Sequence, residues 1–292
     1  MKGERMRTAV YCCVAAAFFF FSQCPSQTKP DTSAAPKEPW KIRLVTGLNV
    51  TQVSFSNWAQ GGENSLAYSV SGIGKTEFED TDIHWSFSYN LGFGQTKLGD
   101  QGLRNTDDKI DLETVLTYKL GAYVNPYAGA TMKTQFATGY KYDDLGNGTP
   151  VSKFFDPAYF TESIGAGYII LPQVKTRLGY GLREIYTNDF YIYTDDPNTP
   201  AHERVKIDDG FDSSTDIQWN IEDNVILISK LEVFLTVRTL NKASLRSDNT
   251  LRVQVAKYVS VSLSANIIND RQVSPYTQFM NTLAMGLNYN LF

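Results

Sequence analysis

Residues 83–94 read Ile83-His84-Trp85-Ser86-Phe87-Ser88-Tyr89-Asn90-Leu91-Gly92-Phe93-Gly94, and every second position is large and apolar. Successive side chains of a β-strand point to opposite faces, so this stretch has one greasy face and one wet one. The same alternation recurs from Trp40 onward. Val259, Val261, Leu263, Ala265 and Ile267 interleave with Ser260, Ser262, Ser264 and Asn266. No helical periodicity competes with it. After the first 26 residues no apolar run is long enough for a membrane helix; Val225-Ile226-Leu227-Ile228 is typical.

Twelve segments alternate in this way: 41–55, 66–79, 83–97, 108–120, 124–141, 159–170, 174–187, 210–222, 225–240, 249–256, 258–269 and 278–291. The connections after the even-numbered segments are tight, as at Asp80–Asp82 and Asp223–Asn224. Those after the odd-numbered segments are longer, as at Tyr142–Ala158 and Asn188–Asp209. Short turns on one rim and long loops on the other are the pattern of bacterial outer-membrane barrels. An even strand count puts both chain ends on the short-turn side.

The polar phase carries charge of both signs. Lys109, Asp111 and Glu113 share a segment, as do Arg177 and Arg183, Asp212 and Asp216, and Lys230, Glu232 and Arg238; Arg252 follows. A basic side chain facing acyl chains at mid-membrane costs ~2–4 kcal/mol, so these residues are expected to line a lumen. A soluble β-sandwich would use the same alternation the other way round, with the charges in solvent. The leader and the loop asymmetry favour the membrane. The fold expected is an all-β antiparallel transmembrane β-barrel of about 12 strands, with short periplasmic turns and longer extracellular loops, in the outer membrane of a Gram-negative bacterium.

Residues 1–26 read as a signal peptide. Lys2, Arg5 and Arg7 form a basic start, and the apolar run Ala9–Phe21 is too short to span a membrane. Lipidation at Cys24 is the rival reading, but Gln23 stands where a lipobox wants a small residue. Residues 27–39 read as a flexible periplasmic linker and 40–292 as the barrel. Cys12, Cys13 and Cys24 are the only cysteines, so the chain beyond the leader has no disulfide, thiol nucleophile or thiolate-bound metal. The whole chain carries a net charge of −4. Lys2, Arg5 and Arg7 against Glu4 give the leader +2, leaving about −6 on the remainder. That disfavours nucleic acid.

Two stretches stand out as recognition candidates. Asn57, Trp58, Gly61, Gly62, Glu63 and Asn64 lie in the first long loop; the plain reading is a turn with glycine at positive φ, and the functional one is a loop that constricts the lumen or grips a ligand. Arg104, Asp107 and Asp108 fall in the second long connection. Asp143, Asp144 and Asn147, and the acidic residues around His202, offer hard oxygens without the spacing of a calcium loop, so no metal or cofactor is expected. His84 and His202 are the only histidines. Ser86 and Ser88 share the face of His84, but neither histidine sits in a nucleophile motif, so no catalytic residue is assigned.

Several of these motifs resemble an uncharacterised family of outer-membrane proteins from Bacteroidota, a domain of unknown function (number 3078). They are Gln52-x-Ser54-Phe55-x-Asn57-Trp58-Ala59-x-Gly61-Gly62-Glu63-Asn64, Arg104-x-Thr106-Asp107-Asp108, Lys133-Thr134-Gln135-Phe136-x-x-Gly139-Tyr140 and Phe154-x-Asp156-Pro157-Ala158-Tyr159, with Asn-rich final strands. Asn105 stands where the pattern has Lys, and Ile268-Asn269-Asp270 where it has a Tyr-Asp pair. The resemblance implies location and fold but no mechanism.

The function expected is a narrow porin-like channel or envelope scaffold with a charged lumen. The alternatives are a non-conducting accessory subunit that binds another envelope protein through its extracellular loops, and a lipid hydrolase at the rim. The partners expected are outer-membrane lipid and lipopolysaccharide, an envelope protein, and the barrel-assembly machinery reading a final strand that ends in Phe292.

Overall fold

The computed structural model describes residues 39–55, 62–196, 198–237, 243–271 and 274–290, the last three of these as backbone alone. The expected signal peptide and all but the last residue of the expected linker lie outside the described residues. Alternation becomes strand throughout: β1 (Trp40–Val53), β2 (Ser65–Glu79), β3 (Ile83–Leu98), β4 (Arg104–Tyr118), β5 (Val124–Thr134), β6 (Gly139–Tyr142), β7 (Gly148–Ser152), β8 (Ala158–Leu171), β9 (Val174–Tyr186), β10 (Val205–Glu222), β11 (Val225–Thr236), β12 (Ala243–Ala256), β13 (Val259–Asp270) and β14 (Gln278–Asn290). Twelve of them close into one barrel in the order β1-β14-β13-β12-β11-β10-β9-β8-β5-β4-β3-β2. Every junction is antiparallel. β6 and β7 form a separate hairpin inserted between β5 and β8.

The pairing register fixes which face each residue takes. Trp40 pairs with Phe78 and Phe78 with Trp85, and the three rings touch at centroid distances of 5.0 and 5.8 Å. They sit at the short-turn rim on the outside, where interfacial aromatics belong. From Trp85 to Phe93 the outward side chains of β3 cover eight steps, about 26 Å along the strand. Leu178, Phe211, Leu263 and Leu283, 51–75% exposed, extend the apolar surface to β9, β10, β13 and β14. Polar groups on this outer face satisfy one another: Ser229 donates to Asn249, and Asn249 donates to Ser247 and to the Ala265 carbonyl. A sheet closed on itself, with an apolar outside and a polar inside, is the β architecture that hydrocarbon admits. The chain is an integral outer-membrane β-barrel. Among the described residues no helix is long and apolar enough to cross a membrane.

Four strand edges differ from the sequence reading by four residues or more with both edges among the described residues. β4 starts at Arg104, so Arg104, Asp107 and Asp108 belong to a strand and not to a loop, and the connection before it shrinks to 99–103. A bulge opposite Gly94 and Gln95 breaks the period-two pattern there. β5 stops at Thr134, because Asp108 accepts hydrogen bonds from the Phe136 and Ala137 amides and turns the chain. Gly139–Tyr142 alternates like a continuing strand but pairs with β7 instead. β10 starts at Val205; Asp209 on its outer face, hydrogen-bonded by Tyr180, disguised the alternation. β12 starts at Ala243, where outward Ser247 and Asn249 did the same.

Candidate functional site

Register places the charged residues of the polar phase in the lumen. Asp111 and Glu113 project from β4, Lys133 from β5, Arg177 and Arg183 from β9, Asp212 and Asp216 from β10, Lys230 and Glu232 from β11, and Arg246, Asp248 and Arg252 from β12. Glu113 stands at the centre of a mid-height network. Its Oε1 is 2.5 Å from Arg177 Nη2 and its Oε2 is 2.7 Å from Lys230 Nζ. Lys230 also lies 3.4 Å from Glu232, which is bridged on its other side by Lys133. Arg177 reaches Asp216 at 3.7 Å and donates to Ser214. Arg246 joins Asp248 at 2.9 Å on its own strand and Asp111 at 3.2 Å on the opposite wall. β12 and β4 are six strands apart in either direction around the barrel, so this pair spans the diameter.

The network explains why such residues are tolerated. Within the network each charge meets an opposite one, and Glu113, Lys230, Arg177 and Arg246 each meet a second partner. Tyr127, beneath the Arg177 guanidinium at 5.6 Å, bonds Ser163 and packs the side of the cluster. A second charged group closes toward the short-turn rim: Glu77 meets Arg43 at 2.5 Å and Lys75 at 2.9 Å, His84 lies 3.5 Å from Glu77 and 3.6 Å from Glu79, and Lys119 bridges Glu79.

The remaining wall is different in kind. The inward positions of β13, β14, β1, β2 and β3 at mid-height include Ser262, Ser264, Thr282, Ala284, Gly47, Asn49, Ser69, Ser71, Ser88, Asn90 and Gly92. They are small and uncharged, and only below them, from Lys75 beside Ser88 downward, does charge return to this wall, so at mid-height the ion pairs fill one side of the lumen and small side chains line the other. Above the network, toward the long-loop rim, lies a cavity of about 360 Å³. The network residues Glu113, Lys133, Arg177, Glu232 and Arg246 line it together with Tyr159, Tyr193, Phe234 and Ile268. Arg183 bridges Asp270 at its side.

Not every expected site residue joins this arrangement. Lys109 faces the lumen beside Gly92 and Asp107 but makes no ion pair among the described residues. Arg252 faces inward lower on β12, likewise without a carboxylate partner among them. Arg238 lies outside the described residues, as do Asn57, Trp58 and Gly61. Of the first loop, Gly62 has φ +137° with the Phe55 ring packed where a Cβ would stand, and the Asn64 side chain accepts the Phe55 amide at 2.7 Å. These contacts bring Phe55 against Gly62 and Asn64. Arg104 lies 4.0 Å over the Tyr142 ring and ties β4 to the β6–β7 hairpin.

Lys133, Arg246, Asp248 and Asp270 were missed. In the sequence Lys133 reads as part of a motif and not of the polar phase, and the other three fall beyond the expected edges of β12 and β13. Arg246 and Asp248 continue the inward series upward from Arg252, a signal that outward Ser247 and Asn249 obscured.

The catalytic and metal candidates take other roles. His84 faces Glu77 and Glu79 and makes no hydrogen bond to Ser86 or Ser88. His202 stacks on Tyr191 at 5.0 Å and pairs with Asp195 at 3.1 Å in an exposed loop. Asp143 is spent on the tip of the β6–β7 hairpin, accepting from the Leu145 and Asn147 amides and from the Asn147 side chain. Among the described residues no group of three or more His, Cys, Asp and Glu is placed to hold a metal ion.

Residues 50–140 match the profile of a family described as a protein of unknown function (DUF3078), which bears out the resemblance drawn from the motifs in that stretch. No curated protein matches the chain. Among solved structures, the translocator domain of the autotransporter NalP from Neisseria meningitidis is similar over 98% of this chain and 95% of its own, at 10% identity and TM-score 0.37. An outer-membrane channel from Pseudomonas putida F1 is similar over 90% of this chain and 99% of its own, at 13% identity and TM-score 0.39. The NanC porin is similar over 84% and 98%, at 7% identity and TM-score 0.38.

Proposed function

We propose that this protein is a narrow channel of the outer membrane, in which an ion-pair screen occupies one side of the lumen and solutes pass along the neutral wall of the other. The observation that carries the reading is that asymmetry. An eight-stranded barrel fills its interior with side chains and a sixteen-stranded one leaves an open bore, so twelve strands leave an interior whose contents decide conduction. Here the long charged side chains are paired across β4 to β12, and Ser, Gly, Asn, Ala and Thr line the facing arc. The Arg246–Asp111 bridge crosses the lumen and limits the bore there, and paired charges of both signs beside the path give weak ionic selectivity.

Single-channel recording in planar bilayers tests this. The native protein is expected to conduct in small steps. Replacing Asp111 and Arg246 together by Ala removes the diametric bridge and should raise the step several-fold. Replacing Arg177 and Arg183 by Ala removes positive charge from one wall and should shift permeability toward cations. A protein that stays electrically silent in native and both mutant forms would overturn the channel reading.

A further inference from the structure

The barrel's junctions are not equally closed. β1 pairs with β2 from Trp40–Phe78 to Val53–Ser65, and β13 with β14 from Val259–Leu287 to Ile268–Gln278. Between β1 and β14, among the described residues, the ladder runs only from Val45–Asn290 to Leu48–Leu287. Past that rung, Asn49 to Val53 of β1 and Gln278 to Gly286 of β14 keep their other neighbours but share no rung with each other, although the Asn49 side chain still packs against Gly286. The unpaired stretch of β1 is about 16 Å long and lies in the half of the barrel nearer the long loops.

Bare strand edges do not survive against acyl chains; backbone N–H and C=O groups at membrane depth need partners or water. At this depth such an edge calls for water from the lumen. Its outer flank is apolar: Val50, Leu283 and Met285 are 62, 75 and 71% exposed. Its inner flank leads to Met280, which pairs with Asn266 on the lumen face and is 45% exposed, and to Gln278 and Ile268 on the wall of the 360 Å³ cavity. That volume is within the range of small-molecule sites. An apolar approach, a break in the ladder, and a chamber that sets Tyr159, Phe234 and Ile268 beside the charged side chains of Lys133, Arg183 and Arg246 together match a molecule that has one apolar tail and a compact polar head.

We propose that the gap between β1 and β14 is a lateral portal through which such amphiphiles pass between the outer leaflet and the upper lumen. The proposal names a route and a substrate class for the channel and rests on that reading only for onward passage; access to the chamber stands by itself. The test uses a fatty acid carrying a mid-chain diazirine, dissolved in phosphatidylcholine vesicles that hold the native protein, with labelled residues mapped by mass spectrometry. Leu283 and Met285 on the lipid side should be labelled, and so should Met280 and Ile268 on the lumen side, while Thr117 lower in the lumen should not. The chain beyond Cys24 has no cysteine, so Thr51→Cys and Ala284→Cys, opposite one another if the register is continued, can be bridged by a short bifunctional thiol reagent. Bridging should abolish labelling at Met280 and Ile268 and leave Leu283 and Met285 unchanged. Labelling confined to Leu283 and Met285 in the unbridged protein would overturn the portal, as would loss of the probe from both flanks in native membranes, the mark of a strand from another polypeptide seated on the edge. Ion conductance in the same preparation separates the two readings: current without lumenal labelling sinks the portal and keeps the channel, and lumenal labelling without current does the reverse.

Discussion

At the scale of single residues, Asp156 ties the long-loop rim together. It is 1% exposed. Its Oδ1 accepts from the Thr187 hydroxyl and the Asn188 amide, and its Oδ2 from the Asp189 amide at 2.9 Å. Lys153, beside it, bridges Asp189. The segment before β8 is thereby fastened to the segment after β9. Asp156→Ala strands three donors and should loosen both loops by roughly 2–4 kcal/mol. Limited proteolysis on intact cells should then cut between residues 143 and 199 while the barrel stays whole; unchanged resistance would show that the loops are held elsewhere. Asp143 gives a pH-dependent counterpart in the β6–β7 hairpin. Hydrogen bonds from the Asn147 side chain, then from the Asn147, Leu145 and Gly146 amides, hold its carboxyl below the ordinary value. A lowered folded-state value stabilises the tip fully above the unfolded carboxylate range, and that contribution is lost as pH falls through the folded value. Amide exchange at Leu145 and Asn147 should accelerate only on acidification below about pH 4, the ordinary Asp range. Neither role was legible beforehand. Asp156 appeared as part of a motif, but its partners lie 31–33 residues away, and nothing in local pattern pairs them.

At the scale of elements, period two did most of the work, because a strand between lipid and water has no other way to sort its side chains. The twelve wall strands, and the tight turns between them, follow from it directly. The errors cluster where alternation is interrupted for a physical reason: the bulge in β4, the turn that Asp108 imposes after β5, and the polar outward positions of β10 and β12. Each polar outward group with a described partner is satisfied by a neighbour, which only three-dimensional pairing can reveal. The alternation also makes a sharp contrast on β3. Phe87 packs outward between Trp85 and Tyr89, with ring centroids 6.4 and 6.0 Å away, whereas Ser88 faces the lumen opposite Lys75 and Glu113. Phe87→Arg should cost a depth-dependent ~2–4 kcal/mol in refolding into lipid vesicles, and Ser88→Arg far less. Equal losses for the two would contradict the assigned faces.

At the scale of the whole molecule, orientation is open to a direct check. Leu145, 88% exposed at the β6–β7 tip, lies on the long-loop side, and Asn224 lies in a short turn. Leu145→Cys should react with an impermeant thiol reagent on intact cells, and Asn224→Cys only after the outer membrane is opened; the opposite result would invert the barrel. That charges of both signs line the lumen was readable in the sequence, since lipid would not accept them. Which ones meet was not, because partners as distant as Asp111 and Arg246 are brought together only by closure. That bridge carries a consequence for how the chain comes to exist at all. Its two strands are six apart whichever way the wall is followed, so no hairpin, sheet fragment or half-built wall can unite them. Strands arriving one by one leave Asp111 without this partner until the circle is complete. Half-assembled forms are penalised while the finished one is rewarded, so insertion should proceed as a single cooperative event, and a barrel once shut should be slow to come apart.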